Sequence, residues 1–477
     1  MLILISVISL VLQLLNPPLS YSQPDTLWTK KFGGDGWDKA ESIKQTNDGG
    51  FIIVGNSSSF GGGWLIRTDS LGVEIWSRGI GGSVYSVIQT IDRGFAVVGF
   101  SSVDSHSDNA LILKIDLDGN SMWQMNYTST DDEVIFDLAQ KTNGEIIAVG
   151  YSSPHHSYGS RILLLGLDIS GGLIWQYIGS YDSANRAKSI AFLTDGGFIV
   201  TGTQEVNGDD LGDLFLLRLN AEGDSLWMKT YGGSGGDGGE QVIETSDGGF
   251  IAVGGTNSFG TGRGDVWVVR TDSSGDTLWT KTYGGTITET GNSIIESDIG
   301  GFIVVADSGS HHDDSRDLWL FKVDKDGKLL WSQTYGGNGA QGGSSIQNTP
   351  DGGFVVAGFA AEDDSSNADF WVLRFAPEQT IGVEDAAIIP SEYFLVQNYP
   401  NPFNPTTTIE YTLPKSREVR LTVYNLLAEE VTSLVDDFQQ AGFHKVNWDA
   451  SNFASGIYFY RLQAGDFVQT RKMVLLK

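Results

Sequence analysis

The sequence predicts an all-β chain: a seven-bladed β-propeller closed by an N-terminal strand, followed by a small Ig-like β-sandwich. Three observations carry this. Tryptophan recurs at Trp28, Trp76, Trp123, Trp175, Trp227, Trp279 and Trp331, at spacings of 48, 47, 52, 52, 52 and 52 residues. The 477 residues combine 62 Gly with 13 Trp, 24 Phe and 16 Tyr, so many turns accompany many large apolar side chains. After Phe375 the repeat stops, while short alternating apolar runs continue. A period of about 50 with several strands per unit is the mark of a propeller or solenoid array.

The unit that contains Asp247 shows the internal plan. "EQVIETS" is a first strand, and Asp247-Gly248-Gly249 is a tight turn whose glycines accept positive φ. "FIAVGG" is a second strand, and the loop "TNSFGTGRG" leads to "DVWVVRT", a third. "DSSG" turns the chain into "DTLWTKTYGG", the fourth. Four antiparallel strands, a to d from axis to rim, make a blade. The turn aspartates recur at Asp48, Asp195, Asp247 and Asp351, and D-x-x-G-x-x-x-W recurs at Asp69, Asp272 and Asp324. A carboxylate bonded to its own turn backbone explains this recurrence better than a catalytic acid in every unit. The tryptophans are read as packing between blades.

The repeat is out of phase with the chain. The first full blade starts near Asp38, and the last runs out at "DFWVLRFAPEQT" with no Trp strand behind it. Leu27–Phe32 is therefore predicted to pair with Asp369–Phe375 as the missing outer strand, which closes the ring and removes an open edge. The seven residues 33–39 reach about 23 Å. Three strand gaps need only about 14 Å.

Residues 1–22 read as a secretory signal peptide: Leu2–Leu15 is apolar but short of a membrane span, and Ser20-Tyr21-Ser22 suits cleavage. Residues 23–377 are the propeller, 378–392 a linker and 393–477 the second domain. Absence of cysteine excludes disulfides, thiolate chemistry and zinc–sulfur sites. The net charge is −29, yet residues 393–477 hold 8 Lys/Arg and 8 Asp/Glu, so the excess lies in the first 392 residues. Such a surface repels phosphate backbones, and no nucleic-acid partner is expected.

Comparing units within the chain, the a–b and c–d turns repeat, while the b–c loops and d–a crossings vary. Variable loops on a rigid scaffold are where binding residues concentrate. The variable face holds Trp37, His106, His155, His156, Tyr158, Tyr181, His311 and His312 as candidate binding residues. Asp313 and Asp314 beside the histidine pair are candidate metal ligands. The sequence specifies no cofactor; Ca2+ is the ion such acidic loops would take. Asp116-x-Asp118-Gly119 and Asp324-x-Asp326-Gly327 are too short for an EF-hand loop and read as hairpin turns. No H-E-x-x-H or phosphate loop occurs, and no catalytic residue stands out.

The phrase "W-x-K-x-[FY]-G-G" and runs such as "DGGFIVTG" at Asp195–Gly202 resemble the β-propeller repeats of the SBBP kind in bacterial secreted proteins. The C-terminal stretch resembles the type A C-terminal sorting domain of the type IX secretion system of Bacteroidota. The carrying residues are Pro400, Asn401, Pro402, Phe403, Asn404 and Pro405, then Tyr424-Asn425, Trp448-Asp449, Gly456 in "SGIY", Lys472 and Lys477. Ala428 departs from the usual turn glycine. The resemblance implies export through the periplasm and across the outer membrane by the type IX machinery, as a partner, to a secreted or surface-attached destination. The expected function is a monomeric binding or adhesion module for an extracellular glycan or protein. An extracellular glycan-active enzyme and a structural surface repeat protein are the alternatives.

Overall fold

The computed structural model describes residues 20–21, 23–104, 107–154, 159–179, 185–205, 211–309, 316–337, 339–362, 367–378, 380–381, 393–395, 398, 400–427, 429–439, 442–465 and 467–477. Every regular element among them is a strand. Two compact units result: Tyr21–Gln379, and Thr380–Lys477 with Met1–Ser20.

Seven four-stranded antiparallel sheets make the first unit. Blade five is representative, with strands Asp237–Glu244, Phe250–Thr256, Asp265–Thr271 and Thr277–Tyr283. Its third strand is buried at all seven positions, whereas its fourth is mostly exposed or half-buried. Neighbouring blades cover both faces of the inner strands, so these read as continuous apolar runs. Ile251, Val253, Val266 and Val268 of blade five thus share a core with Phe302, Val304 and Phe321 of blade six. Each such side chain contributes about 1.5–3 kcal/mol by leaving water.

The ring is closed by the N-terminal strand, Thr26–Phe32, which pairs antiparallel with Asp369–Phe375; Trp28 faces Arg374 and Phe32 faces Phe370. Blades seven and one then share one core, in which Phe370 and Val372 meet Ala40, Phe51 and Trp64, with Trp28 and Phe32 packed on it.

The recurring glycine and tryptophan of D-x-x-G-x-x-x-W serve different blades. Each tryptophan lies over the c–d turn glycine of the next blade: Trp28 on Gly72, Trp76 on Gly119, Trp227 on Gly275. Gly72 has φ +73°, and a Cβ there would stand 3.0 Å from the Trp28 ring. Conformation and space both demand glycine. Trp279 Nε1 also donates to Lys325 O of that next turn at 2.8 Å, and Tyr283 Oη donates to Gly327 O at 2.6 Å.

Blade seven has no c–d turn, because its fourth strand arrives from the other end of the chain. Two residues take over. Trp331 Nε1 of blade six donates to Glu378 Oε1 at 3.2 Å, and Tyr335 Oη accepts from Gln23 Nε2 at 3.0 Å.

The a–b turn aspartates bond their own turn, as their recurrence predicts, but they also hold a buried cation. Arg67, Arg218, Arg270 and Arg374 pair with Asp48, Asp195, Asp247 and Asp351, and Lys114 pairs with Asp92. Each of these cations faces the blade's own tryptophan strand across one register position, as Arg270 does Trp279. Blade three loses both partners together: Gly166 takes the cation position and Asn143 the turn position. Blade six keeps Lys322 but has Ile299 in the turn, and Glu378 supplies the carboxylate at 2.8 Å.

The Thr245 hydroxyl, against partial burial and with help from Gly249 N–H and Arg270, holds the Asp247 carboxyl below its usual value of 3.8. Asp195 is held low chiefly by Gly197 N–H. Burial pushes hardest on Asp48, Asp92 and Asp351, but the Thr hydroxyl, glycine N–H and cation outweigh it and lower all three. A folded value below the unfolded one means that the unfolded chain binds more protons on acidification. The stabilisation is present above about pH 4 and is lost as pH falls through the folded values. We expect the melting temperature to fall across that window, with a shallower acid slope in Asp247→Asn. Equal slopes in the two proteins would refute this assignment.

In the second unit, one sheet has strands Phe394–Leu395, Thr406–Leu413 and Gly442–Asp449. The other has Arg417–Tyr424, Glu430–Gln439, Gly456–Ala464 and Phe467–Leu475. Alternating residues from both sheets, among them Ile409, Tyr411, Leu421, Val423, Tyr460 and Leu462, form one core. This is the arrangement of a β-sandwich.

Candidate functional site

One cavity of about 290 Å3 touches all seven innermost strands, so it lies on the propeller axis. Its position follows from a local irregularity that every blade repeats. Each first strand carries a β-bulge against its second strand, between Ala40 and Ser42 in blade one and at the matching place in the other six. A bulge leaves one residue out of the ladder and re-aims its side chain. The seven bulge residues are Glu41, Tyr85, Phe136, Lys188, Glu240, Asn292 and Ser344, and all line the axial cavity. The next position is Ser in five blades, with Asp137 and Gln241 in the other two. These side chains tie neighbouring blades together: Ser86 Oγ donates to Asp137 Oδ1 at 2.8 Å, and Ser293 Oγ to Gln241 Oε1 at 2.8 Å. A nearly constant structural belt therefore sits beside a ring in which almost every blade shows a different residue.

The ring is polarised. Tyr85 and Phe136 are adjacent, with centroids 5.0 Å apart, and Tyr151 backs Phe136 at 5.7 Å. On one flank Lys39 Nζ lies 2.9 Å from Glu41 Oε2. On the other, Lys188 Nζ stands 4.1 Å above the Phe136 ring and 3.9 Å from Glu240 Oε2. Asn292 and Ser344 complete the circle, with Asp307 of a second strand behind them. Asp307 Oδ1 accepts Gly343 N–H at 3.0 Å. Burial raises the Asp307 carboxyl, and that N–H and Lys39 oppose the shift. Burial also pushes the Tyr85 hydroxyl up to about 12, with Glu41 adding to it. Lys39 and Asp307 are near the crossing ends of their strands, which places the cavity in the half of the channel next to the d–a crossings and b–c loops.

Of the residues that the sequence singles out on that face, Trp37 is described. It is 39% exposed, packs on Phe359 at 5.2 Å and forms a parallel bridge with Ala368, so it braces the closing crossing. His106, His155, His156, Tyr158, Tyr181, His311, His312, Asp313 and Asp314 lie outside the described residues. Among the described residues, no group of three His, Cys, Asp or Glu side chains gathers to hold a metal. Sequence reasoning missed the axial ring. Its one available signal was the unequal letter before the recurrent serine.

The sorting residues have a separate geometry. The segment Pro400–Pro405 lies along the last strand: Phe403 N–H donates to Val474 O at 2.9 Å, and Leu476 N–H to Phe403 O at 3.0 Å. Asn401 Oδ1 accepts Val474 N–H at 2.9 Å. Phe403 is buried against Trp448 at 5.5 Å, while Pro400, Pro402 and Asn404 are exposed. Lys472 is exposed, and Lys477 Nζ donates to Ser451 O at 2.6 Å. Gly456 has open space at its Cβ position, so packing does not require glycine there. The two ends of the motif, far apart in sequence, thus form one edge.

Residues 397–476 match the family model described as the secretion system C-terminal sorting domain. No curated protein matches the chain. Among solved structures, the chain is similar to PorZ of Porphyromonas gingivalis, a surface component of the type IX secretion system, at 13% identity and TM-score 0.45. That alignment covers 94% of this chain, which spans 60% of the PorZ chain. It is also similar to a fungal alcohol oxidase of the AA5 family, at 9% identity and TM-score 0.47, covering 96% and 100%. A third likeness is Sqt1 of Chaetomium thermophilum, at 12% identity and TM-score 0.44, covering 72% and 83%. No activity is transferred from likenesses of this degree. The sorting domain marks the chain for export by type IX secretion, to a secreted or outer-surface-attached location.

Proposed function

We propose that this exported chain is a binding module that recognises an extracellular glycan or protein on its variable face, centred on the axial ring. In this reading residues 1–22 are the leader, residues 23–377 the binding propeller, residues 378–392 the linker and residues 393–477 the domain engaged by the export machinery. The protein acts as a monomer, and Trp37 lies on that same face. The observation that supports it is the ring of seven bulges: one fold device repeated in every blade presents a largely different side chain each time, beside a belt that barely changes. Stability alone would favour the same residue at each repeat.

The full chain, screened on an array of extracellular glycans and surface proteins, is expected to bind at least one member. The double variant Tyr85→Ala, Glu240→Ala is expected to weaken that binding by about tenfold or more, or about 1.4 kcal/mol. Binding that survives the double variant unchanged, or no binding across the array, would overturn the reading. Asp307 favours a second reading, a glycan-active enzyme, because a half-buried carboxyl with raised pKa in a cavity wall suits a general acid. Release of reducing ends by the wild type, lost in Asp307→Asn, would support that reading. No release from any glycan bound on the array would reject it.

A further inference from the structure

Resting on the axial binding reading, we infer that the axial cavity takes one uncharged sugar ring, such as a neutral hexose at a glycan terminus. Three features of the ring point to this ligand class. The first is size: about 290 Å3 is at the lower end of ligand pockets, room for one ring and not for a chain. The second is the apolar wall of Tyr85 and Phe136, adjacent at 5.0 Å, against which the C–H face of a pyranose can pack.

The third is charge. Both flanks of that wall carry an ammonium and a carboxylate already facing each other: Lys39 with Glu41 at 2.9 Å, and Lys188 with Glu240 at 3.9 Å. A cationic ligand would compete with a lysine for its carboxylate, and an anionic one would compete with a carboxylate for its lysine. Either exchange costs one existing interaction. A hydroxyl both donates and accepts, so vicinal hydroxyls can bridge an ammonium and a carboxylate while the pair stays intact. Two such pairs on either side of an aromatic wall match a ring with hydroxyls on its edge and C–H groups on its face.

The test uses the full chain, with saturation-transfer NMR and calorimetry. The probes are methyl glycosides of glucose, galactose and mannose, then glucosamine, glucuronate and a lysine-containing tetrapeptide. At least one neutral glycoside is expected to bind about tenfold more tightly than either charged sugar. Tyr85→Ala is expected to reduce that binding by about tenfold or more. Phe136→Leu and Glu240→Gln, which keep apolar bulk or shape, should each lower it should Tyr85→Ala fail to fold. A preference for glucosamine, glucuronate or the peptide that the same substitutions abolish would overturn the sugar class and leave the axial site standing. No response from any probe would overturn the sugar class, and array binding indifferent to Tyr85 and Glu240 would overturn the axial site as well.

Discussion

Deletion of Thr26–Phe32 abolishes the single cooperative melt of the propeller and leaves a chain that is cut readily by protease at its seventh blade. This is the expected result, and the reason is geometric. The deletion removes the outer strand of blade seven and exposes the hydrogen-bonding edge of Asp369–Phe375. It also removes Trp28 from Gly72 and from the core shared by blades seven and one. What remains at that seam is packing of the inner strands, where Phe370 and Val372 meet Ala40 and Phe51, without the outer strand that covers it. The milder variant Trp28→Ala removes the ring but keeps the strand, and is expected to cost about 3 kcal/mol. Thermal melts and limited proteolysis of both variants provide the check. A deletion variant that melts once, at the wild-type temperature, would show that the strand is not a clasp.

Glu378→Ala is expected to destabilise the propeller by about 3 kcal/mol, because it strips a buried charge of its counter-ion. Lys322 is fully buried, and its ammonium lies 2.8 Å from Glu378, which is 5% exposed. The same substitution removes the acceptor of Trp331 Nε1. Burial pulls the Lys322 pKa below 10.5, and Glu378 opposes the shift. With the folded value lowered, the unfolded chain holds the extra proton in the alkaline range. Stability therefore rises with pH as the folded value is passed and levels off above 10.5; Glu378→Ala makes that rise larger. The blade repeat itself offers a rescue. Ile299 occupies the turn position where five other blades have Asp, so Glu378→Ala with Ile299→Asp restores a carboxylate to Lys322 and recovers most of the loss. Denaturant melts of the single and double variants decide this. A double variant no more stable than Glu378→Ala alone would mean that the pair has no such role.

Much of the fold was legible in the repeats. The tryptophan spacing gave the blade count, and the Trp strand missing after Phe375 gave the clasp, which pairs with Asp369–Phe375 as expected. The alternation of Val419, Leu421 and Val423 placed a sandwich strand whose three side chains are all buried. These features are local periodicities, and periodicity survives in a linear text. The buried cation pairs were half legible: cation and carboxylate are lost together in blade three, where Gly166 and Asn143 stand, a covariation visible within one chain. Their contact is separated by 19 to 23 residues, so it reads as composition until strands are paired.

The order of strands, the number of blades, the strand that closes them and the export domain all follow from the amino-acid text, because each rests on pattern along the chain. The axial ring does not. Glu41, Tyr85, Phe136, Lys188, Glu240, Asn292 and Ser344 are about 50 residues apart and comprise six residue types, so no common letter marks them. They meet because the same bulge turns one residue of each innermost strand toward a common axis, and that axis exists only once seven sheets are packed in a circle. Glu378 is the same kind of case. It stands outside the repeat, and its role arises because blade seven has no c–d turn: in that place, Glu378 gives Lys322 the carboxylate that the a–b turn of its own blade lacks.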